Sequence, residues 1–229
     1  MMNEKPDYLG HRERLRKRFL EGGGKAMPDY EFLELLLTIA IPRRDVKPLA
    51  KALIKKFGGF AGVVNAPLEE LLAFDGLKET SAAVLKIIKE AAIRMSWQNL
   101  QNSKETIISN WDAMMDYCRM IMAHNEVEEF RVLFLDGRHR LIGEEVQNRG
   151  TVDQVAVHPR EVMKSAINRG AKAIVLVHNH PSGDVKPSKA DVEITRMIAK
   201  SAADLEIKLI DHVIISKGES YSFSEYGLL

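Results

Sequence analysis

Two hydrophobic spacings divide the chain. In its first hundred residues, apolar positions recur at three- and four-residue steps, the repeat of amphipathic helices. The pattern predicts a helix over residues 7–21, ended by Gly22-Gly23-Gly24. A second runs from Tyr30 to Ile39, with Asp29 as N-cap, Leu33, Leu36 and Leu37 on one face, and Pro42 as the stop. Val46–Phe57, closed by Gly58-Gly59, is a third. Pro67–Phe74 is a fourth, with proline in its first turn, and Thr80–Trp97 follows Asp75-Gly76. The polar stretch 97–108 marks a linker, with Ile107 and Ile108 either closing it or opening the next element, and Trp111–His124 returns to helix.

From residue 128 the spacing changes to that of strands. Phe130–Leu135 and Arg140–Val146 flank the turn signal Asp136-Gly137, predicting a hairpin, and Val152–Val157 is a third strand. Pro159 opens a helix that ends at Gly170. Ala173–His178 is continuously apolar, as in a strand covered on both faces. A helix over Ala190–Asp204, a strand over Lys208–Ser216 and a short strand over Tyr221–Ser224 complete the series. Strands alternating with helices define an α/β domain. The expected organisation is a helical domain over residues 1–100 and an α/β domain over residues 101–229.

Composition narrows the class. At 229 residues, 45% hydrophobic and 28% charged, the chain can build a globular core. The single cysteine, Cys118, excludes an intrachain disulfide and a Cys-built zinc site, and fits a reducing compartment. The N-terminus lacks an apolar leader, and the longest apolar segment, Phe32–Ile41, is interrupted by Glu34 and too short to span a bilayer. A cytoplasmic protein that does not enter membranes is expected.

The net charge of +1 is unevenly spread: residues 1–100 hold 17 Lys and Arg against 13 Asp and Glu, the remainder 16 against 19. Arg12, Arg14, Arg16, Lys17 and Arg18 crowd the first helix. They form either a solvated face beside core-facing Leu15 and Phe19 or a surface for phosphate backbone. Leu71–Ile88 is similar to a helix-hairpin-helix motif, whose Gly-rich turn presents backbone N–H groups to a DNA phosphate. Here the turn is Gly76-Leu77-Lys78, with lysine in place of the second glycine. A structural helical hairpin is the competing reading.

The chemistry concentrates in VLVHNHPSGDVKPSKAD, residues 175–191. Residues two apart on a strand share a face, so His178 and His180 point the same way at a strand's C-terminal end, where ligand sites of α/β sheets favour sitting. Ser188-x-x-Asp191 has the form of a helix cap with its acidic N3 residue. Asp191 also heads the helical face carrying Ile194, Thr195, Ile198, Ala202 and Leu205, so it points inward. Two imidazoles and a carboxylate with a fourth position open are what a catalytic zinc requires, and Zn²⁺ suits such N/O ligation.

The spacing His178-x-His180, seven residues, Ser188, two residues, Asp191 resembles the JAMM motif of MPN/JAB-domain metallohydrolases. The stretches Val157-His158-Pro159-Arg160-Glu161, His178–Gly183, Pro187-Ser188 and Leu209-Ile210-Asp211-His212 resemble the RadC (UPF0758) family over nearly the whole chain. The resemblance implies a C-terminal α-β-α domain with a mixed, cytidine-deaminase-like sheet, one zinc ion held by His178, His180 and Asp191, and Ser188 assisting the catalytic water or oxyanion. It also implies a glutamate at the start of a strand that shuttles the proton from the water to the leaving amine. Glu128, in Glu128-Glu129-Phe130, takes that place and shares a face with Phe130, Val132 and Phe134; a bulge would give it to Glu129. Asn179 departs from the Ser or Thr usual in the isopeptidase branch, and alternation turns it away from the metal. His212 is either support for a ligand or a structural histidine.

Three functions follow as expectations: metal-dependent hydrolysis of a peptide or isopeptide-like amide, association with DNA through the helical half as the family's name implies, and a metal-stabilised interaction module without turnover. The contiguous His-Asn-His is not an HNH nuclease signature, whose residues spread over a ββα-metal unit. Cytidine-deaminase chemistry needs Pro-Cys-x-x-Cys ligands that one cysteine cannot supply.

Overall fold

A computed structural model describes residues 7–150 and 157–229, and these fall into two compact units, one up to Ala92 and one from Ile93. The first is helical: α1 (Asp7–Gly22), α2 (Asp29–Ala40), α3 (Lys47–Phe57), α4 (Phe60–Asn65), α5 (Leu68–Leu72) and the start of α6 (Glu79–Asn102). α2 is central, because it packs on both α1 and α3. It therefore buries Leu33, Glu34, Leu35 and Leu37 rather than a single stripe, and Leu36 is only partly covered.

Asp29 is the first helical residue of α2 and does not cap it. Its Oδ2 instead accepts the N–H of Phe60 at 2.9 Å and anchors α4, a helix the spacing does not announce because Gly58-Gly59 stops α3 immediately before it. Gly58 ends α3 in the left-handed conformation, φ 77°, which only glycine adopts without strain. His11 bonds the buried carboxylate of Glu34 at 2.9 Å.

The second unit is an α/β domain. α7 (Trp111–Met122) precedes β1 (Glu128–Leu135) and β2 (Leu141–Gly150), then α8 (Pro159–Asn168), β3 (Ala173–Asn179), α9 (Lys189–Ala203), β4 (Lys208–Ile215) and β5 (Ser220–Ser222). The strand expected over Val152–Val157 falls, at 152–156, outside the described residues. Among the described residues the sheet is mixed, in the order β2-β1-β3-β4-β5. β3 and β4 are parallel, joined by α9, and the other neighbours are antiparallel.

Strand alternation builds two cores. Leu133, Leu135, Val175, Val177, Val213 and Ile215 face α7 with its Met114, Cys118 and Met122. Phe130, Val132, Phe134, Ile174 and Leu176 face α8 and α9 through Val162, Ala166, Ile198 and Ala202. Leu205 lies beyond the end of α9 and is exposed, off the inward face that its spacing suggests.

Residues 97–108 are not a linker throughout. α6 continues to Asn102, and Ile93, Trp97 and Leu100 form a stripe at helical spacing that packs on the α7 core. Leu100 and Ile107 are buried, and the Trp97 and Tyr117 rings lie 5.2 Å apart. Polar neighbours conceal that stripe in the sequence.

Candidate metal centre

β3, the loop after it and the first turn of α9 bring three side chains together. His178 Nε2 lies 3.0 Å from His180 Nε2 and 3.3 Å from Asp191 Oδ1, and His180 Nε2 lies 3.6 Å from Asp191 Oδ2. Ligands about 2.0–2.1 Å from a tetrahedral zinc stand roughly 3.3 Å apart. The donor set therefore fits one such ion. Among the described residues this is the one His/Cys/Asp/Glu group with that convergence.

The loop explains His180. Its Nδ1 donates to the carbonyl of Asp184 at 2.6 Å, an acceptor that can only accept, so the free lone pair belongs to Nε2. Gly183 at φ 92° lets the chain fold back to place that carbonyl. His178 Nδ1 is likewise occupied, by His212 Nε2 at 2.8 Å. Both rings thus turn Nε2 towards Asp191.

Asp191 is held by the helix it begins. Ser188 Oγ accepts the Asp191 N–H at 3.1 Å, and the Ser188 N–H donates to Asp191 Oδ2 at 2.7 Å, a reciprocal capping box. The same arrangement caps α9 and holds the carboxylate beside the two histidines. Burial alone would raise the Asp191 pKa. The neighbouring His180 and His178 and the Ser188 contacts outweigh it and hold the carboxylate well below its usual range. Burial pushes His178 down to about 4, so this ring is neutral at physiological pH. The nearby carboxylate of Asp191 raises His180 instead.

Glu128 stands on the rim. β1 and β3 pair Phe130 with His178, and two steps further along this register Glu128 faces His180. Its Oε1 lies 3.8 Å from His180 Nε2. Burial first, and the charge of Asp191, raise its pKa, with His180 opposing. Glu129 points to the other face of the sheet, where Oε1 accepts from Arg131 Nε at 2.5 Å. The extra residue near this end of β1, Gln147, is on β2, so the alternation of β1 is undisturbed.

Asn179 faces away from His178, His180 and Asp191, and its buried amide bonds Glu129 N–H, Val127 C=O and Asn125 C=O. His158 precedes α8 without capping it through its side chain. The residue that spacing alone left undecided is His212, whose ring is fully buried against His178.

In the helical unit, Gly76 has φ 90°, and the turn's amides are partly spent internally. Leu77 N–H bonds Phe74 C=O, and Lys78 N–H bonds Ser81 Oγ at 2.8 Å. No helix among the described residues is long and apolar enough to cross a membrane.

A mixed sheet between α7 and α8/α9, with two strand-end histidines and a capping aspartate converging, defines a JAB-type α/β domain with a metal-site constellation. Residues 108–228 match the model of the RadC-like JAB domain, and residues 8–83 that of the UPF0758 N-terminal region. The chain is 48% identical over 225 residues to a UPF0758 protein of Ruegeria pomeroyi, covering 98% of this chain and all of that one. It is 49% identical over 215 residues to a UPF0758 protein of Rhodobacter capsulatus, covering 94% of this chain and all of the relative. The chain belongs to the RadC (UPF0758) family.

Proposed function

We propose that the C-terminal unit is a zinc-dependent hydrolase that cleaves an amide bond of peptide or isopeptide type. One observation carries the reading: both imidazoles spend Nδ1 on the protein and present Nε2 beside a carboxylate, with Glu128 3.8 Å away on the rim. His178 Nε2, His180 Nε2 and the Asp191 carboxylate would hold the metal. When bound, the metal supplies Lewis acidity, polarising a carbonyl and lowering the pKa of water towards 7.

The remaining work falls to side chains. Glu128 Oε1 takes the proton of the attacking water and returns it to the nitrogen of the departing amine. Partial burial suits it, since raising the pKa makes the carboxylate the stronger base, while a carboxyl closer to the working pH can still give the proton back. Ser188 Oγ accepts from Asp191 N–H, and its own O–H can donate to the oxygen on which charge develops. Metal analysis of the purified chain tests the ligands: zinc near one equivalent is expected, and its loss in Asp191→Ala. Equal zinc in both would overturn the site. A proteome-wide search for new termini, run with the wild type against Glu128→Gln, then identifies the bond cut.

A second reading, contact of the helical unit with DNA, has one observation in its favour. The guanidinium of Arg44 lies against the Gly76 turn, so close that a β-carbon at Gly76 would stand 3.2 Å from it. It supplies a cation beside the turn's first glycine, in a turn whose second glycine is replaced by Lys78. Binding to duplex DNA that falls steeply with salt supports this reading; binding that ignores salt, or none at low salt, removes it.

A further inference from the structure

His212 belongs to none of the roles above, and a bulge aims it. Ile174 of β3 pairs with Leu209 of β4, but the next residue, Val175, pairs with Asp211. Ile210 is therefore extra, and every later side chain of β4 changes face. Asp211 turns to the α7 side, where its Oδ2 accepts from Ser222 Oγ at 2.5 Å. His212 turns to the α8/α9 side, the side of His178. There its ring stacks on Phe223, centroids 4.6 Å apart, with Phe130 at 5.4 Å.

The hydrogen bonds from this ring have one consistent direction. The carbonyl of Asp191 can only accept, so Thr195 Oγ1, 2.5 Å away, spends its single proton there. Thr195 Oγ1 must then accept the Nδ1–H of His212, also at 2.5 Å. A neutral imidazole protonated on Nδ1 has its lone pair on Nε2. That lone pair receives the Nδ1–H of His178 at 2.8 Å. His178 is left with a bare Nε2, 3.3 Å from Asp191 Oδ1. The chain thus starts at the backbone of one ligand and ends on the ring of another.

We infer that Thr195 and His212 are positioning residues that lock His178 in the tautomer that presents Nε2 to a metal and couple its ring orientation to the Asp191 turn of α9. The inference deepens the hydrolase reading and rests on it. Outer partners of this kind change metal affinity by about 10–100-fold when removed. Gln at position 212 could still accept from His178 Nδ1, whereas Phe keeps the stacking and loses the acceptor.

The test is zinc affinity of the full chain, by competition with a chromogenic chelator, alongside melting of the metal-free protein. His212→Phe and Thr195→Val should weaken zinc binding, the former by about 10–100-fold, with His212→Gln recovering part of it. Long-range ¹H–¹⁵N correlation on the unaltered, metal-free protein should show His212 protonated at Nδ1 and bare at Nε2. Variants that lower the melting temperature but leave zinc affinity unchanged would overturn the inference and leave the hydrolase reading standing. So would a His212 protonated at Nε2, a result that needs no variant to fold. A wild type that binds no zinc would overturn both.

Discussion

The carboxamide of Asn179 clasps the backbone on both sides of Glu128: Oδ1 accepts the N–H of Glu129 at 2.9 Å, and Nδ2 donates to the carbonyl of Val127 at 3.2 Å. A second carbonyl, that of Asn125, lies 3.4 Å from Nδ2, so one amide orientation satisfies all three groups. A serine or threonine hydroxyl has one proton to give and cannot reproduce this clasp. The departure from the isopeptidase pattern at this position therefore has a structural role: it fixes the peptide that carries the proposed base.

Asn179→Ala should consequently separate base placement from metal binding. It removes the bonds to the backbone around Glu128, of which the buried one to the Glu129 N–H is worth about 1–3 kcal/mol. A displacement of the base by roughly 1 Å is expected to slow turnover about 100-fold. Zinc content should stay at the wild-type value, because Asn179 touches no ligand. Asn179→Asp keeps the acceptor but turns an oxygen on two carbonyls, and should not rescue. Metal analysis and turnover on the same samples check this; loss of zinc in Asn179→Ala would refute it.

Ser188 and Asp191 share a capping box, and the two substitutions should part on metal. Ser188→Ala removes the acceptor of the Asp191 N–H and should lower stability by about 1 kcal/mol, within the usual 0.5–2 for a lost cap. The Ser188 N–H still reaches Asp191 Oδ2, so zinc should remain. Asp191→Ala keeps its N–H on Ser188 Oγ but loses the other half of the box, the acceptor of the Ser188 N–H, together with the proposed ligand. Denaturant melts of the metal-free proteins should show similar destabilisation, while only Asp191→Ala loses zinc. If Ser188→Ala loses zinc as fully, its role is more than capping and catalysis.

The proximity of His178, His180 and Asp191 was legible because all three come from one short stretch. There, the period of a strand and then of a helix determines which side chains agree in direction. Glu128 was legible only by parity, and the choice over Glu129 depended on which strand carries the bulge; the extra residue is Gln147 on β2. His212 was left open between support for a ligand and a structural role for the opposite reason. Plain alternation from Leu209, which faces α8 and α9, would send His212 to the α7 side, and one unpaired residue, Ile210, reverses it. Long-range pairing sets bulges, and no local period records them. In the helical half, helix spacing was legible but surroundings were not. α2 is covered from two sides, so Glu34 and Leu35 are buried where a single apolar face leaves them out.

The Gly183 turn should be sensitive to any side chain. At φ 92° it lies in a region that L residues rarely adopt, although space around it is open. Gly183→Ala is thus a test of backbone strain alone, of order 1–3 kcal/mol. Relief of that strain would move the Asp184 carbonyl off His180 Nδ1 and free the ring to rotate. Weaker zinc binding with an intact fold is expected, measured by chelator competition and far-UV circular dichroism. Unchanged zinc affinity would show that the loop does not orient His180.

Alkaline pH should destabilise the second unit through Cys118. Burial pushes its thiol from 9.0 up to about 12, with the charge of Glu144 adding to the effect. Tyr117, buried and bonded to Glu144, is raised as well. The sign follows from linkage: a pKa higher in the folded state means that the unfolded chain loses its proton first. Stability is therefore whole below the ordinary thiol pKa and falls as pH rises from about 9 towards about 12, at up to about 1.4 kcal/mol per pH unit for this one proton. Denaturant unfolding at about pH 8 and about pH 10.5, on the wild type and Cys118→Ala, isolates the thiol. Cys118→Ala should be the less stable at the lower pH, because it leaves a small cavity. The gap should narrow at the higher pH, where the wild type alone loses the thiol's contribution. Parallel declines in the two proteins would mean that Cys118 does not supply the linkage.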